Sequence, residues 1–437
     1  MDWPIVLLFF FGGLTLLMLT GMPLAFAFLL EDIISAWFIW GGEIGLRHIT
    51  VAMQSGLSSF TLMPMALFIL MGEVLFYTGI GRNIIEALDK FIGRFPGRLG
   101  FLAVGAGTLL GTLTGSSMGS VAILGSTLVP DMKKRGYSTS MCLGPVLGSG
   151  GLAIMIPPSS SAVLLASIAE VSVGAVLMGI IVPGILLAVF YSIYIIVRCL
   201  LQPSIAPSYD VTKVPLKDKV MSFIKYILPI GIVIFLVIGT ILLGIATPTE
   251  AAATGVAGTY FLAILYGKFN WNSFKKSLMK TVEISAMIYL ILEAALIFSQ
   301  ILSFSGATRG LASFILSLQV SPMVIFILIQ LLGLVLGMFM TIVGIVMIII
   351  PLFMPVITAL GINEVWFCVV LLLNCEMAVT TPPFGAALFA MKSVVPKDIT
   401  MAQIYSAGLP YLGCDLVALI LLILFPAIVL WLPGMMF

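Results

Sequence analysis

The chain has 437 residues, of which 61% are hydrophobic and only 9% are charged. A soluble domain needs more polar cover on its surface, so this composition excludes a soluble fold and indicates a polytopic helical membrane protein. The net charge of +2 gives no reason to expect a nucleic-acid partner. The 5 cysteines lie scattered in apolar segments without a CxxC pair, which predicts small apolar fillers rather than disulfides or a metal site.

Apolar runs of about 20 residues, the length that spans a bilayer, recur along the whole chain. The first run is too long, and too poor in preceding basic residues, for a cleaved signal peptide. Residues 31–40 and 83–91 are amphipathic, which predicts two segments lying along the membrane interface.

Two half-length apolar runs, 99–114 and 118–130, follow, and both outer ends of the pair are basic. The positive-inside rule places both ends in the cytoplasm, so the pair predicts a re-entrant hairpin whose tip lies near the bilayer midplane. The next segment, 138–168, is predicted to cross outward with a break at Pro157-Pro158.

After a return crossing that ends near Arg198, a polar connector at 201–222 joins the two halves of the chain. Further crossings are predicted at 226–244, 248–266, 282–304 and 409–432. Between the last two of these lies a second hairpin, whose closing loop at 358–364 carries no Lys or Arg.

Residues 98–158 recur 225 positions later as residues 323–383, with Pro130 and Pro355 each 27 residues before a Pro-Pro pair. The closing loop of the first hairpin carries three basic residues and that of the second carries none. Equal spacing with opposite charge bias is typical of an inverted repeat, the pattern of many secondary transporters. The predicted fold is therefore all-α, an inverted repeat with two re-entrant helical hairpins and two broken helices.

Each Pro-Pro pair removes backbone N–H groups and releases carbonyls, here those of Ala153, Ile154, Ala378 and Val379, which then need protein, water or a cation. Carbonyls and hydroxyls without a carboxylate cage favour Na⁺ over Mg²⁺ or Ca²⁺, and half-helix N-termini favour an anion. The Na⁺-binding candidates are Gly115, Ser116, Ser117, Pro157, Pro158, Ser159, Gly337, Thr341, Thr380, Thr381 and Pro383. The substrate-binding candidates are Ser117, Ser160, Ser161, Asn374, Glu376, Phe384 and Gly385.

Acidic residues within apolar runs are functional candidates by default. They are Glu73, Glu250, Glu283, Glu293, Glu376 and Asp415. Glu376 precedes the second proline pair by two turns, and helix–helix hydrogen bonding and ion or proton coupling both remain open for it. Glu250 follows Thr-Pro-Thr and is predicted to cap a helix start.

Six short motifs resemble the large membrane subunit of tripartite ATP-independent periplasmic (TRAP) transporters. They are residues 72–73 (GE), 115–117 (GSS), 130–137 (PDMKKRGY), 157–159 (PPS), 247–250 (TPTE) and 381–385 (TPPFG). The resemblance implies a bacterial inner-membrane permease of the DctM-like type that is not an enzyme and needs no cofactor besides Na⁺ as coupling ion. It also implies an elevator, in which a mobile transport domain slides against a scaffold and carries a small organic acid anion. The implied protein partners are a separate four-helix membrane subunit and a periplasmic substrate-binding protein.

The resemblance also implies a division of the chain. The predicted units are 1–97, scaffold and arm helices; 98–170, first transport half with hairpin 98–131 and broken helix 138–168; 171–320, scaffold helices, connector 201–222 and second arm; 321–398, second transport half with hairpin 322–357 and broken helix 365–395; and 399–437, a C-terminal transmembrane helix.

Two departures from the family pattern leave details open. Thr341 stands where many relatives carry an Asp, and residues 374–377 (NCEM) differ from the sialic-acid branch and look closer to a branch that carries diverse organic acids. The main alternative is a binding-protein-independent Na⁺/dicarboxylate symporter or Na⁺/H⁺ antiporter of the same wider fold group. A hydrolase is a weak third reading, because residues 115–119 match GxSxG but the chain has a single histidine, His48, as a base.

Overall fold

The computed structural model describes residues 2–58, 60–93, 95–114, 117–208, 214–383 and 385–436, without the side chains of Thr61, Leu113 and Thr114. Helices dominate the described residues throughout. The first half comprises α1 Trp3–Leu19, α2 Leu24–Ile39, α3 Glu43–Leu57, α4 Met63–Thr78, α5 Ile80–Asp89, α6 Arg98–Thr114, α7 Ser117–Lys134, α8 Thr139–Met155, α9 Ser160–Ile168, α10 Val173–Gly179 and α11 Ile181–Leu201. The second comprises α12 Leu216–Ser222, α13 Leu228–Leu242, α14 Pro248–Leu265, α15 Trp271–Phe304, α16 Ala307–Ser317, α17 Pro322–Gly337, α18 Ile342–Ala359, α19 Glu364–Thr380, α20 Ala386–Val394, α21 Met401–Leu424 and α22 Ala427–Leu430.

By length and composition, 5 of the described helical segments could each cross a membrane, or up to 7 when each of two bent pairs counts as one span. Leu, Ile, Val and Phe side chains cover much of the outer surface, as expected of helices that face lipid. One bent pair is α8 with α9, which meet at 44°, so the predicted broken helix is confirmed.

The first hairpin, α6 with α7, is closed at its base and packs along α8. The N–H of Leu99, at the start of α6, donates to the hydroxyl of Tyr137, just after α7, at 3.4 Å. At the other end, a Cβ placed on Gly111 would lie 2.9 Å from the Cα of Ala153. The hairpin therefore enters and leaves at one end of the fold, and its tip reaches the break after α8, as predicted.

The second hairpin repeats this arrangement with α17, α18 and α19. A Cβ on Gly333 would lie 3.1 Å from the Ile349 side chain, and one on Gly337 would lie 3.4 Å from the Ile345 side chain, so α17 and α18 run antiparallel. Gly337 also packs against Ala378 of α19, as Gly111 packs against Ala153 of α8.

The long helix α21 shows that the two halves are inverted. Near its start, the carbonyl of Ala407 would lie 2.8 Å from a Cβ on Gly144 of α8. Near its end, the carbonyl of Leu422 accepts the indole N–H of Trp366 at 2.8 Å, and Trp366 lies in the first turn of α19. The helices α8 and α19 therefore enter the fold from opposite ends, which confirms the inverted repeat.

The helix bounds extend the repeat beyond the predicted range. Helices α8 and α19 both have 17 residues and start 225 positions apart, at Thr139 and Glu364. Each is capped by a side chain at the same offset, since Ser138 and Asn363 accept the N–H of the third helical residue. The bent pair α4–α5 likewise corresponds to α15–α16, so the repeat includes the helices before each hairpin.

Several boundaries differ from the predictions, among them the start of the helical segment Leu216–Leu242, which lies ten residues before the predicted crossing. Helix α15 begins at Trp271, eleven residues before the predicted crossing, because Asn270 caps it through the N–H of Ser273. Helix α21 spans Met401–Leu424 instead of 409–432, since Thr400 and Gln403 form a capping box and Pro426 follows its end. The predicted division into scaffold and transport domain stays a prediction.

Residues 31–40, predicted to lie along the membrane interface, belong mostly to α2 and turn their acidic side chains inward; their place relative to the membrane stays a prediction. Glu31, Asp32 and Ser35 of α2 are buried, whereas Trp37 and Phe38 are exposed. The polar side of this helix faces the protein, because in lipid the apolar side is the one that faces outward.

Candidate functional site

The tip of the first hairpin brings a buried hydroxyl to the first break. Ser117 begins α7 and is 6% exposed, and its Oγ has no hydrogen-bond partner among the described residues. Its carbonyl would lie 3.4 Å from a Cβ on Gly150, five residues before the end of α8. A buried hydroxyl without a partner is costly, so this position suits a bound ion, water or substrate atom.

The first break itself is buried and capped. Pro157, Pro158 and Ser159 are all buried, and the Pro157-Pro158 bond is cis. The Ser159 hydroxyl accepts the N–H of Ala162 at 3.2 Å and so caps α9. Because a hydroxyl has two lone pairs, one acceptor site of Ser159 remains for a cation.

The second break holds its hydroxyls differently. Thr380 and Thr381 donate to the carbonyl of Met377, at 3.1 and 2.6 Å. This bond uses the hydroxyl proton and leaves the oxygen lone pairs as acceptors, so both side chains retain the capacity to bind a cation. Pro383 is exposed next to them.

One of the two carbonyls released at the second break has a local hydrogen-bond partner, which the sequence does not predict. Ala378 accepts the N–H of Thr381 at 3.3 Å, so its carbonyl is not left open by the proline. The buried Gly385 packs on the carbonyl of Val379, where a Cβ would approach to 2.7 Å.

Thr341 is an exposed N-cap of α18 at the second hairpin tip, with its hydroxyl 3.5 Å from the N–H of Gly344. Gly337 is buried at the end of the preceding helix, and Ser160 and Ser161 are half-buried in the first turn of α9. Gly115, Ser116 and Phe384 lie outside the described residues.

The two halves exchange partners around these tips and breaks. Helix α20, after the second break, packs on α7 of the first hairpin, where Met391 and Val394 approach Gly125. Helix α9, after the first break, packs on α18 of the second hairpin. The helix after each break therefore packs on the hairpin of the opposite repeat.

Asn374, a predicted substrate residue, joins two helices instead of facing an open site. It is fully buried on α19 and donates to the carbonyl of Gln330 on α17 at 3.1 Å, with a further contact to the Gln330 side-chain oxygen. Both residues border an otherwise apolar cavity of 270 Å³ between α17, α19 and α21.

Glu376, the second predicted substrate residue on α19, lies in a fully buried polar cluster. Its carboxyl contacts that of Asp415 on α21, and Asp415 accepts the hydroxyl of Tyr191 on α11. Gly151 of α8 makes room for it, because a Cβ there would collide with the Glu376 carboxyl. Gly151 is the repeat equivalent of Glu376, because the two residues lie 225 positions apart, and this spacing could have identified the contact from the sequence. Tyr191 and Gln330 are also absent from the predicted site residues.

The remaining intramembrane acids have other surroundings. Glu250 forms the predicted cap, since its carboxylate accepts the N–H of Thr247 at 2.8 Å. Glu293 is buried against Gly56, with no hydrogen-bond partner in the described part of the chain. Glu283 is exposed and pairs with Lys280 at 2.9 Å.

An inverted repeat with two re-entrant hairpins meeting two broken helices defines a membrane permease. The family described as "Tripartite ATP-independent periplasmic transporter, DctM component" matches residues 11–428, and the chain belongs to this family. It is therefore a multi-pass inner-membrane transport subunit of the large permease type and not an enzyme. Members transport various organic acids and work with a small membrane subunit and a periplasmic binding protein.

Individual relatives cover nearly the whole chain. The uncharacterized protein YgiK of Salmonella typhimurium is 29% identical over 439 residues, which are 99% of this chain and 97% of that protein. The C4-dicarboxylate TRAP transporter large permease protein DctM of Pseudomonas aeruginosa is 29% identical over 392 residues, 89% of this chain and 90% of its own. The crystal structure of the Alcanivorax borkumensis YdaH transporter shares the fold with a TM-score of 0.64 at 16% identity, covering 89% of this chain and 90% of that one.

Proposed function

We propose that this chain carries a small organic acid anion, a carboxylate or a sulfonate, into the cell together with Na⁺, using an elevator movement of the hairpins and broken helices. The observation that carries the proposal is the buried, unpartnered Ser117 hydroxyl at the tip of a re-entrant hairpin. A buried hydroxyl without a protein partner calls for an ion, a water or a substrate atom, and in our proposal the cargo supplies that partner.

The Na⁺ ligands proposed here are hydroxyls and backbone groups at the tips and breaks. Ser117 and Ser159 serve the first half, and Thr341, Thr380 and Thr381 serve the second. Pro157, Pro158, Gly337 and Pro383 belong to the same segments, and Gly115 and Ser116, which lie outside the described residues, stay in the proposal from the sequence alone. Neutral oxygen ligands suit a monovalent ion better than a divalent one, which attracts carboxylates.

The anion is proposed to bind where α7, α9, α18 and α20 begin. Their first N–H groups have no partners within the helix, and the helix dipoles add positive potential at this end. Ser160 and Ser161, in the first turn of α9, supply hydroxyls, and Ala386 and Ala387, in the first turn of α20, supply backbone N–H groups. Glu376 is not part of this anion site in our proposal, because its carboxyl already contacts Asp415 and would repel an anion.

Substrate delivery is proposed to need two separate proteins, a four-helix membrane subunit and a periplasmic binding protein. Elevator motion would move α6–α9 and α17–α20, together with α11 and α21, which pack on α8 and on each other, against the other helices. The C4-dicarboxylate relative makes a dicarboxylate one member of the substrate class to test.

The test uses vesicles containing the purified chain and its small subunit, with the binding protein outside and an inward Na⁺ gradient. Ser117→Leu and Thr381→Leu should abolish uptake, while Ser126→Leu should not, since Ser126 is an exposed hydroxyl on the same helix as Ser117. All three variants should elute as monodisperse protein. Wild-type uptake in Ser117→Leu, or uptake that survives replacement of Na⁺ by K⁺, would overturn the proposal. Robust uptake without the binding protein would support the binding-protein-independent symporter instead.

A further inference from the structure

Three buried polar side chains from three helices meet near the repeat axis. Glu376 on α19 is 0% exposed, Asp415 on α21 is 1% exposed, and Tyr191 on α11 is 0% exposed. The Tyr191 hydroxyl donates a hydrogen bond to one oxygen of Asp415, and the Glu376 carboxyl contacts Asp415. None of these contacts is needed for the sodium and anion sites proposed above.

No cation compensates the two carboxyls within the described ranges. None of the ion pairs there includes Glu376 or Asp415. Lys392, on α20, donates to the carbonyls of Lys397 and Ile399 instead. The other titratable neighbours on α11 and α21 are tyrosines and cysteines: Tyr194, Tyr411, Cys199 and Cys414. The charge of Arg198 acts on Tyr194. On the facing α8 stands Gly151, which has no side chain.

Two ionised carboxylates in contact, in a dry interior, repel each other and lose their hydration. One proton shared between them removes both problems, because the protonated acid donates a hydrogen bond to the ionised one. Tyr191 then satisfies a further oxygen of Asp415, and the pair carries a single negative charge.

The position of the pair ties it to the moving parts. Glu376 and Gly151 are equivalent residues of the two repeats and touch each other, so the approximate twofold axis passes between them. Repulsion between two ionised carboxylates at this axis would push α19 away from α8 and α21. Helices α8 and α19 precede the two breaks, and α21 packs beside them.

We propose that Glu376 and Asp415 together bind one proton, and that this proton keeps α8, α19 and α21 packed, so that transport falls when the proton is lost at alkaline pH. The proposal rests on the transport activity of the family and not on the identity of the coupling ion. The proton proposal can therefore be wrong while sodium coupling is right, and sodium coupling can be wrong while the proton proposal is right.

The direct test is infrared spectroscopy of the purified protein. At neutral pH the wild type should show a C=O stretching band of protonated carboxyl groups. In the double variant Glu376→Gln/Asp415→Asn the intensity of this band should fall by the amount expected for one protonated carboxyl. Glu283→Gln, which removes an exposed carboxylate, should leave the band unchanged. An identical band in the wild type and the double variant would overturn the proposal.

The second test is the pH profile of uptake in the vesicles. Wild-type uptake should fall at alkaline pH, and the double variant should lose this alkaline limb. Tyr191→Phe should move the limb to higher pH, because the tyrosine hydrogen bond favours the ionised form of Asp415. The same alkaline limb in all three proteins would refute the proposal. Loss of Na⁺ dependence in the double variant with an unchanged carboxyl band would refute it too, and would assign the cluster to Na⁺.

Discussion

The close approach of the first hairpin to the broken helix can be tested with one methyl group. In Gly111→Ala, the new Cβ would lie 2.9 Å from Cα and 3.0 Å from the backbone nitrogen of Ala153. Ordinary contacts of this kind are about 3.5–4.0 Å, and backbone atoms in a helix cannot rotate away as a side-chain end can. Helix α6 must therefore move away from α8.

Overpacking of this kind costs about 1–3 kcal/mol. An alanine in place of a helical glycine returns about 1 kcal/mol, but this gain is shared by any such change on the same helix. Gly105→Ala is the matched control, because nothing lies within 4 Å of a Cβ there. The difference between the two variants isolates the packing cost.

The assay is thermal unfolding of the detergent-purified chain, followed by the loss of monodisperse protein on size exclusion. Gly111→Ala should unfold at a temperature several degrees below that of Gly105→Ala, and its uptake should be reduced. Equal unfolding temperatures would show that α6 does not pack on α8 at this distance, and the hairpin geometry derived above would be wrong.

Two further predictions concern the caps and one surface ion pair. Ser138→Ala and Asn363→Ala should each lower the free energy of unfolding by about 1 kcal/mol, since each removes the side-chain acceptor at the start of a broken helix; equal stability of either variant and the wild type in a denaturant series would refute the capping role. Lys133 lies 2.6 Å from Asp398 and holds the pKa of that carboxyl below its usual value, so the contact contributes at neutral pH and is lost as the pH falls through that lowered pKa. Asp398→Asn should therefore flatten the acid side of the stability profile, and an unchanged profile would contradict this.

The hairpins and breaks could be predicted from the sequence because their signals are local. A Gly-Ser-Ser or proline pair interrupts an apolar run wherever it stands, and the basic residues next to Lys133 fix the side of the membrane for a short loop. The repeat spacing then transfers each local inference to the other half. Helix starts at Thr139 and Glu364 follow this spacing to the residue.

Side-chain partners could not be predicted, because they depend on which helices meet. The sequence places Asn374 and Glu376 close to a break, but only the packing of α17 and α21 shows that they face Gln330 and Asp415. The burial of Glu31 and Asp32 on α2 depends on helix packing in the same way. An amphipathic pattern indicates a helix with two faces without saying whether water or protein covers the polar one.

The differences between the two repeats carry more chemistry than their likeness. Packing is preserved, since Gly111 and Gly337 both allow a hairpin arm to touch the backbone of a broken helix. Polar content is not, since Gly151 in one repeat corresponds to Glu376 in the other. A twofold axis with equal residues would place two carboxyls against each other, or none. The observed pair of a glycine and a glutamate allows one carboxyl to fill the space, with its partner supplied by α21 outside the repeat contact. The Tyr191 hydroxyl donates a hydrogen bond to Asp415, so the two carboxyls of the pair proposed above are inequivalent: Asp415 favours the ionised form, and Glu376 favours the proton.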